Sequence, residues 1–227
     1  MNPQIMALRT KIIEKKQAGD TLYHTVKEAI AVGLLPMGTR LREEELAEAF
    51  ETSRTPVREA LKKLELERLI ETSAGNGSVV RMLSVDECLD TMEVLELLRA
   101  SACRMLLGRV PRALLMVLEQ NIRKGTKITD TSQAYENNAE FHDLLVRAAG
   151  NSVMANLAEQ LTFTERMITN TILPTKYASD YAEHHRLLLK AIVENDEKNL
   201  ETELQYSKEK VEEYMRRIVE AFLDAKG

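Results

Sequence analysis

Ser53-Arg54-Thr55-Pro56-Val57-Arg58-Glu59-Ala60-Leu61 is the stretch on which the reading of this chain turns. A serine three positions ahead of a proline suits a helix start. Ser favours the N-terminal cap, and Pro is tolerated in a first turn that needs no backbone donor. From there Val57, Leu61 and Leu64 share one helical face, and Ala60 is small enough for close approach to a neighbouring helix. The spacing predicts a helix from about Ser53 or Thr55 to Arg68 with that face buried. Ser53, Arg54, Thr55 and Arg58 then gather at its N-terminal end, where the helix dipole and the free amides favour phosphate. A guanidinium can fork onto guanine O6 and N7 or hold a phosphate, and both roles stay open for Arg54 and Arg58. The competing reading pairs the two arginines with Glu43, Glu44 or Glu59 on a solvated surface.

Working outward, LREEELAEAF (41–50) reads as a short helix. Leu22, Val26, Ile30 and Leu34 recur every four residues in a helix that begins at Thr21 and stops near Gly33, ahead of Pro36 and Gly38. Residues 3–18 form an amphipathic helix or arm carrying Ile5, Leu8, Ile12 and Ile13, broken at Ala18-Gly19-Asp20. Downstream, Ser73-Ala74-Gly75-Asn76-Gly77 is a turn between two β-prone runs and predicts a two-stranded hairpin. Helix, short helix, tight turn, basic-tipped helix and hairpin, in that order, describe a winged helix-turn-helix whose third helix enters the major groove. Ser84-Val85-Asp86-Glu87 is a capping box, so a new domain begins there. Beyond it the pattern is helical throughout, punctuated at Gly108 to Pro111, Gly125 to Asp130, Gly150-Asn151, Pro174 and Glu194 to Asp196. Connections this short predict an antiparallel bundle of six to seven helices. The fold class is mainly α, divided into an arm (1–20), a winged helix-turn-helix (21–82) and an all-helical ligand-binding and dimerisation domain (83–227).

Composition agrees with two small globular units. The 227 residues are 30% charged and 44% hydrophobic, with no Trp and only 4% aromatics, a mixture that favours helices over sheets. No apolar run approaches the ~18 residues of a membrane span, and Met1 to Asp20 is charged throughout where a signal peptide would be apolar. A cytoplasmic protein without membrane contact is expected. The net charge of −5 argues at first against nucleic acid, but residues 1–82 hold 13 Lys and Arg against 12 Asp and Glu, leaving 18 against 24 for the remainder. The acidity belongs to the C-terminal part. Cys88 and Cys103 sit at apolar helical positions and read as small buried hydrophobes. Met92, Met105, Leu106, Leu115, Met116, Leu161 and Met167 read as core, with an acyl-chain pocket as the alternative.

SRTPVREAL (53–61), with LREEELAEAF (41–50) before it and LELERLI (64–70) and GNGSVVR (75–81) after it, resembles the GntR family of transcription regulators. The resemblance implies a homodimer on a pseudo-palindromic operator, with Arg54, Arg58 and the wing Gly77 at the DNA and Thr55 and Arg40 on phosphates. Arg68 stands where the family usually has glycine, and Asn76 where a wing Arg or Lys is common. Glu140-Phe141-His142, Leu144-Leu145 and Ala148-Ala149-Gly150-Asn151, with the stretch from His185 to Asp196, resemble the all-helical FCD type of that family. This implies a cavity for a small effector, an organic acid or related metabolite, and in many members a divalent zinc, nickel or manganese ion held by an Asp and three His. At those positions this chain has Asn138, His142, His185 and Ser207, so only His142 and His185 remain as metal ligands. The family arginine that holds a ligand carboxylate is replaced by Leu95, with Arg99 one turn later. Asn138, His142, His185 and Ser207, each able to donate or accept a hydrogen bond, are therefore the candidate effector-binding residues, together with Arg99. His142 and His185 fit an ordinary buried role equally well, while His24 and His184 read as ordinary histidines, with His184 the alternative to His185 if the register is shifted by one.

An enzyme is the rival class, a helical metal-dependent hydrolase or lyase centred on His142 and His185. The chain carries no HExxH, GxSxG or phosphate loop to support it. A constitutive DNA-binding protein with no effector is the third reading.

Overall fold

A computed structural model describes residues 3–5, 22–73, 77–172 and 181–224. Most of the expected arm, the wing tip at 74–76 and Pro174 lie outside the described residues; residues 3–5 are helical and Ile5 is fully buried. The chain divides into two compact units, Met1–Ser84 with Arg166–Thr171, and Val85–Glu165 with Ile172–Gly227.

The first unit is built round the helix the sequence singled out. Helix α1 is Leu22–Ala31, strand β1 Arg40–Leu41, α2 Glu43–Ala49, α3 Arg54–Leu66, β2 Ile70–Ser73 and β3 Gly77–Val80. Helix α3 packs against α1, α2 and β2. Its buried positions are Val57, Ala60, Leu61 and Leu64, the i, i+3, i+4, i+7 stripe of a half-buried helix. They meet Val26 and Ile30 of α1 and Leu46 of α2 in a core completed by Leu35, Leu41, Ile70 and Val80.

Both α2 and α3 end in the same way. At the end of α3 the Leu69 amide donates to Leu64 O and the Arg68 amide to Glu65 O, both at 2.9 Å, with Arg68 at φ +59°. At the end of α2 the Thr52 amide donates to Ala47 O at 2.9 Å and the Glu51 amide to Glu48 O at 3.2 Å, with Glu51 at φ +53°. These are Schellman closures with a left-handed residue just past the cap, a position glycine fills without strain. The family glycine replaced by Arg68 would sit in such a turn. For a residue bearing Cβ the conformation costs roughly 1–2 kcal/mol, and the buried Leu69 after it supplies the hydrophobic contact that holds the turn closed.

Three expectations in this unit are corrected. Helix α2 covers Glu43–Ala49, so Leu41 is not helical; it lies in β1. The sheet has three antiparallel strands in the order β1-β3-β2, not two, with Arg40 opposite Val79 and Leu41 opposite Ser78. Helix α1 ends at Ala31, which leaves Leu34 half-buried past its end while Leu35 takes the core position.

The second unit is built on six described helices, α4 Val85–Leu106, α5 Arg112–Gly125, α6 Thr131–Ala148, α7 Ser152–Ile172 (its residues 166–171 grouping with the first unit), α8 Tyr181–Val193 and α9 Glu197–Asp224. Helix α4 packs on α6, α8 and α9, and α5 on α6 and α8. The core they enclose includes Cys103, Leu118, Phe141, Leu145, Leu188, Ile192 and Leu200. Residues that carried the family resemblance turn out to be helix punctuation. Gly150 ends α6 at φ +78°, Asn151 Oδ1 accepts from the Met154 amide at 3.1 Å, and Asp196 Oδ1 accepts from the Asn199 amide at 3.0 Å. Gly108 is fixed by space as well as by its φ of +66°, because a Cβ there would lie 2.7 Å from Asn195 Oδ1. Cys88 and Cys103 are free and buried as expected, and burial pushes their thiols up to about 11 and about 12. Of the Met and Leu stripes, Met92, Leu106 and Met167 are core, but Met105 and Met116 are exposed, a correction to their placement inside.

The leucines of α3 test this packing. Leu64→Ala, at a fully buried position, should lose about 3 kcal/mol in urea unfolding of the first unit. Leu66→Ala, 84% exposed on the same helix, should stay within about 0.5 kcal/mol of the parent.

Candidate nucleic-acid interface and ligand cavity

Burying the aliphatic side of α3 turns its N-terminal basic residues outward. Ser53 occupies the N-cap with an extended backbone (φ −79°, ψ 167°), yet its side chain makes no capping hydrogen bond. Ser53, Arg54, Thr55 and Arg58 are all exposed. The two arginines are held by α2. Arg54 Nη2 lies 2.8 Å from Glu44 Oε1, and Arg58 Nε donates to both oxygens of Glu43 at 2.9 and 2.7 Å. The solvated pairing weighed against DNA contact is therefore present, with the partners named from the sequence. It does not remove the guanidiniums from reach, since their side chains are 56% and 59% exposed. Exposed pairs of this kind contribute about 0–1 kcal/mol and exchange readily for another anion.

Arg40 and Gly77 lie close together on the small sheet, Arg40 exposed in β1 and Gly77 opening β3 opposite Ser73. Gly77 sits at φ +75°, while a Cβ there would meet only Leu41 O at 3.7 Å. Backbone conformation, not crowding, is what suits this position to glycine.

The second unit contains a cavity of about 100 Å³ bounded by residues of α4, α6, α7, α8 and α9. Arg99 crosses it to Glu165, donating from Nη1 at 3.2 Å and Nη2 at 2.7 Å, with both side chains nearly fully buried. A two-pronged pair of this type repays desolvation only because its geometry is good, and removing one partner would strand a buried charge. Glu96 faces the same space. Burial pushes its carboxyl up to about 7, with Arg99 pulling it down and Glu165 adding to the rise.

The predicted polar set is distributed over two pairs. His185 Nε2–H donates to Asn138 Oδ1 at 3.1 Å, and the His185 ring stacks on Phe141 with centroids 3.8 Å apart. Ser207 pairs instead with His184, 2.9 Å from its Nε2, while Glu203 accepts from His184 Nδ1 at 3.0 Å. Asn138, His142, His184 and Ser207 line the cavity; His185 stands behind Asn138 and is not among the lining residues. The Nδ1 atoms of His142 and His185 are buried without a hydrogen-bond partner. Burial and then the nearby Arg99 charge hold His142 well below the ordinary imidazole range. Burial and then His184 and Arg99 do the same to His185. Both rings are neutral near pH 7.

Sequence reasoning named His184 only as the alternative to His185, and it passed over Glu96, Glu165 and Tyr135, Tyr181, Tyr206 and Tyr214, which put four of the six tyrosines on one cavity. The available signal was Arg99 itself, because an arginine on the apolar side of a helix requires a buried carboxylate.

These donors do not fit a resident zinc, nickel or manganese ion. His185 Nε2 is committed to Asn138, both His184 nitrogens are engaged, and an amide replaces the anionic ligand. Among the described residues no group of three or more His, Cys, Asp or Glu could hold a metal.

A winged helix-turn-helix with an exposed basic helix start, in one chain with a helical bundle round a polar cavity, is the architecture of a DNA-binding transcription regulator. Residues 18–80 match the family model for the gntR family of bacterial regulatory proteins and residues 90–221 that for the FCD domain. The chain belongs to the GntR family and carries the FCD type of C-terminal domain. It is 28% identical over 188 residues to the Uxu operon regulator of Haemophilus influenzae, covering 74% of this chain and 70% of that protein. It is 27% identical over 143 residues to the HTH-type transcriptional regulator YdhC of Bacillus subtilis, covering 61% of this chain and 64% of the relative. A GntR transcriptional regulator structure from Rhodococcus sp. RHA1 shares the fold with a TM-score of 0.72 at 18% identity, over 88% of this chain and 96% of that one. Among the described residues no helix is long and apolar enough to cross a membrane.

The cavity carboxyl makes a pH-dependent prediction. Glu96 titrates at about 7 in the folded chain against 4.5 for an ordinary glutamate. Between those values the folded chain holds a proton that the unfolded chain has released, so stability is lost as pH rises toward and through 7. The depressed His142 and His185 act oppositely, losing stability as pH falls below about 6.5. Glu96→Gln should therefore raise the melting temperature relative to the parent at pH 8, an advantage that shrinks as pH is lowered from about 7 toward 4.5.

Proposed function

We propose that this protein is a cytoplasmic, homodimeric transcription repressor that binds a pseudo-palindromic operator through α3. Its DNA affinity is set by a small organic effector held, without a metal ion, in the cavity of the second unit. The observation that carries the DNA-binding part is the exposed pair Arg54 and Arg58 at the start of a helix whose other side is anchored in the core. Thr55 and the uncapped first turn add phosphate contacts, and Arg40 and Gly77 bring the wing to the backbone. Two copies joined through their helical units would present their α3 helices to half-sites about one helical turn, ~34 Å, apart.

The effector part rests on the polar furnishing of the cavity. His142 offers a bare, buried Nδ1; Asn138 and Ser207 add groups that accept and donate; and the Arg99–Glu165 pair and Glu96 present charge that a ligand can rearrange. Arg99 is already paired with Glu165 and Leu95 stands in place of the family arginine, so an organic acid would be held either by displacing Glu165 or by Lys210 or Arg217, which line the same cavity. Effector and operator each shift the other's affinity by the same factor, since a ligand acts only through its different affinity for the two arrangements. Control of a single operon agrees with the name of the Haemophilus relative, an operon regulator.

A gel shift on the DNA flanking the protein's own gene tests the first half. Arg54→Ala and Arg58→Ala should each weaken the complex, by about tenfold where the lost group reads a base. Undiminished binding by both variants would remove α3 as the reading helix. Elemental analysis of the purified protein should find no stoichiometric zinc, nickel or manganese, while thermal shift against organic and sugar acids should find a stabilising ligand that also releases the operator.

A further inference from the structure

We propose that Glu43 and Glu44 act as an acidic guard on the reading helix, holding Arg54 and Arg58 back from arbitrary phosphates so that stable binding depends on base contacts. The inference rests on the reading of α3 as the DNA-contacting helix. Arg58 Nε is shared between both Glu43 oxygens, and Arg54 Nη2 is held by Glu44 at 2.8 Å. Both guanidiniums thus already have an anion, and both carboxylates stand where DNA must approach.

Helix α2 opens with three consecutive glutamates, and a helix N-terminus favours acidic residues for its own sake. The dipole explains acids there in general but not their pairing. Glu45, the third, lies 3.7 Å from Arg42 of the same segment, while Glu43 and Glu44 reach across to α3. The flanking charges are Glu48 on α2 and Glu59, Lys62 and Lys63 on α3, and the ion pairs of the two guarded arginines run to Glu43 and Glu44 instead.

Magnitudes decide what the arrangement does. Each exposed pair is worth about 0–1 kcal/mol, comparable with a single contact to a solvated phosphate. Trading Glu43 or Glu44 for a random phosphate therefore yields little and leaves a carboxylate facing the polyanion. A guanine edge adds about 1–3 kcal/mol through its forked acceptors, enough to draw an arginine off its glutamate. The guard lowers affinity for any duplex but leaves the increment from the correct bases intact. It also suits a unit whose net charge is close to zero, where arginines at the interface would otherwise supply most of the non-specific attraction.

The test is fluorescence anisotropy of the full-length protein on a random-sequence duplex at about 0.1 M salt. Three variants are compared with the parent: Glu43→Gln/Glu44→Gln, the control Glu48→Gln on the same helix, and Arg54→Ala/Arg58→Ala. The double Gln variant should bind the random duplex on the order of tenfold more tightly, Glu48→Gln within about twofold of the parent, and the double Ala variant more weakly. If the double Gln variant binds no tighter than Glu48→Gln while the double Ala variant binds weakly, the guard is disproved and the reading helix stands. If the double Ala variant also binds the duplex flanking the protein's own gene as well as the parent does, the reading of α3 itself fails. Circular dichroism of the double Gln variant, expected to match the parent, keeps a folding defect from being taken for a result.

Discussion

Everything in the DNA-facing unit depends on the burial of one side of α3. Val57, Leu61 and Leu64 are held by α1, α2 and β2, and this anchoring sets the rotation of the helix about its axis. A helix turned by one residue would carry Arg58 toward the core and expose Val57. Side-chain volume in a close-packed interior forbids that slip more strongly than any surface charge could. The outward placement of Arg54 and Arg58 is thus a consequence of hydrophobic registration.

The bundle solves a different problem. A cavity must stay polar without collapsing, and it does so by closing charges on themselves: Arg99 on Glu165, His184 on Glu203 and Ser207, His185 on Asn138. What is left unsatisfied, the Nδ1 atoms of His142 and His185, marks where the arrangement falls short of a finished core. Asn138 and Ser207, where the resemblance implied an acidic and a third imidazole ligand, make hydrogen bonds to His185 and His184 instead.

The course of the chain was legible wherever a periodic apolar stripe or a capping residue announced an element. The stripe on α3 and the breaks at Gly108, at Gly150-Asn151 and at Glu194 to Asp196 are local statements, readable residue by residue, while the capping bonds of Asn151 and Asp196 are seen only in the structure. Strand β1 was not, because two residues cannot display an alternation and Leu41 joins the sheet only through its partner Ser78. The cavity was half legible. Asn138, His142 and Ser207 fall where the resemblance put them, but the partner of Arg99 is 66 residues away and the tyrosines come from three helices, Tyr206 and Tyr214 sharing α9. The pairing of Ser207 with His184 and not His185 is set by how α8 is rotated against α9, which single-residue spacing does not encode.

The two native thiols have a practical corollary. Cys88 and Cys103 are enclosed, with acidities pushed to about 11 and about 12, so near neutral pH they are protonated and out of reach of electrophiles. The polypeptide is in effect a silent background for maleimide chemistry. A cysteine placed at the solvent-facing Leu66 would be the single taggable sulfur, and a dye or spin label there could report on the surroundings of α3 without first stripping the molecule of its own cysteines.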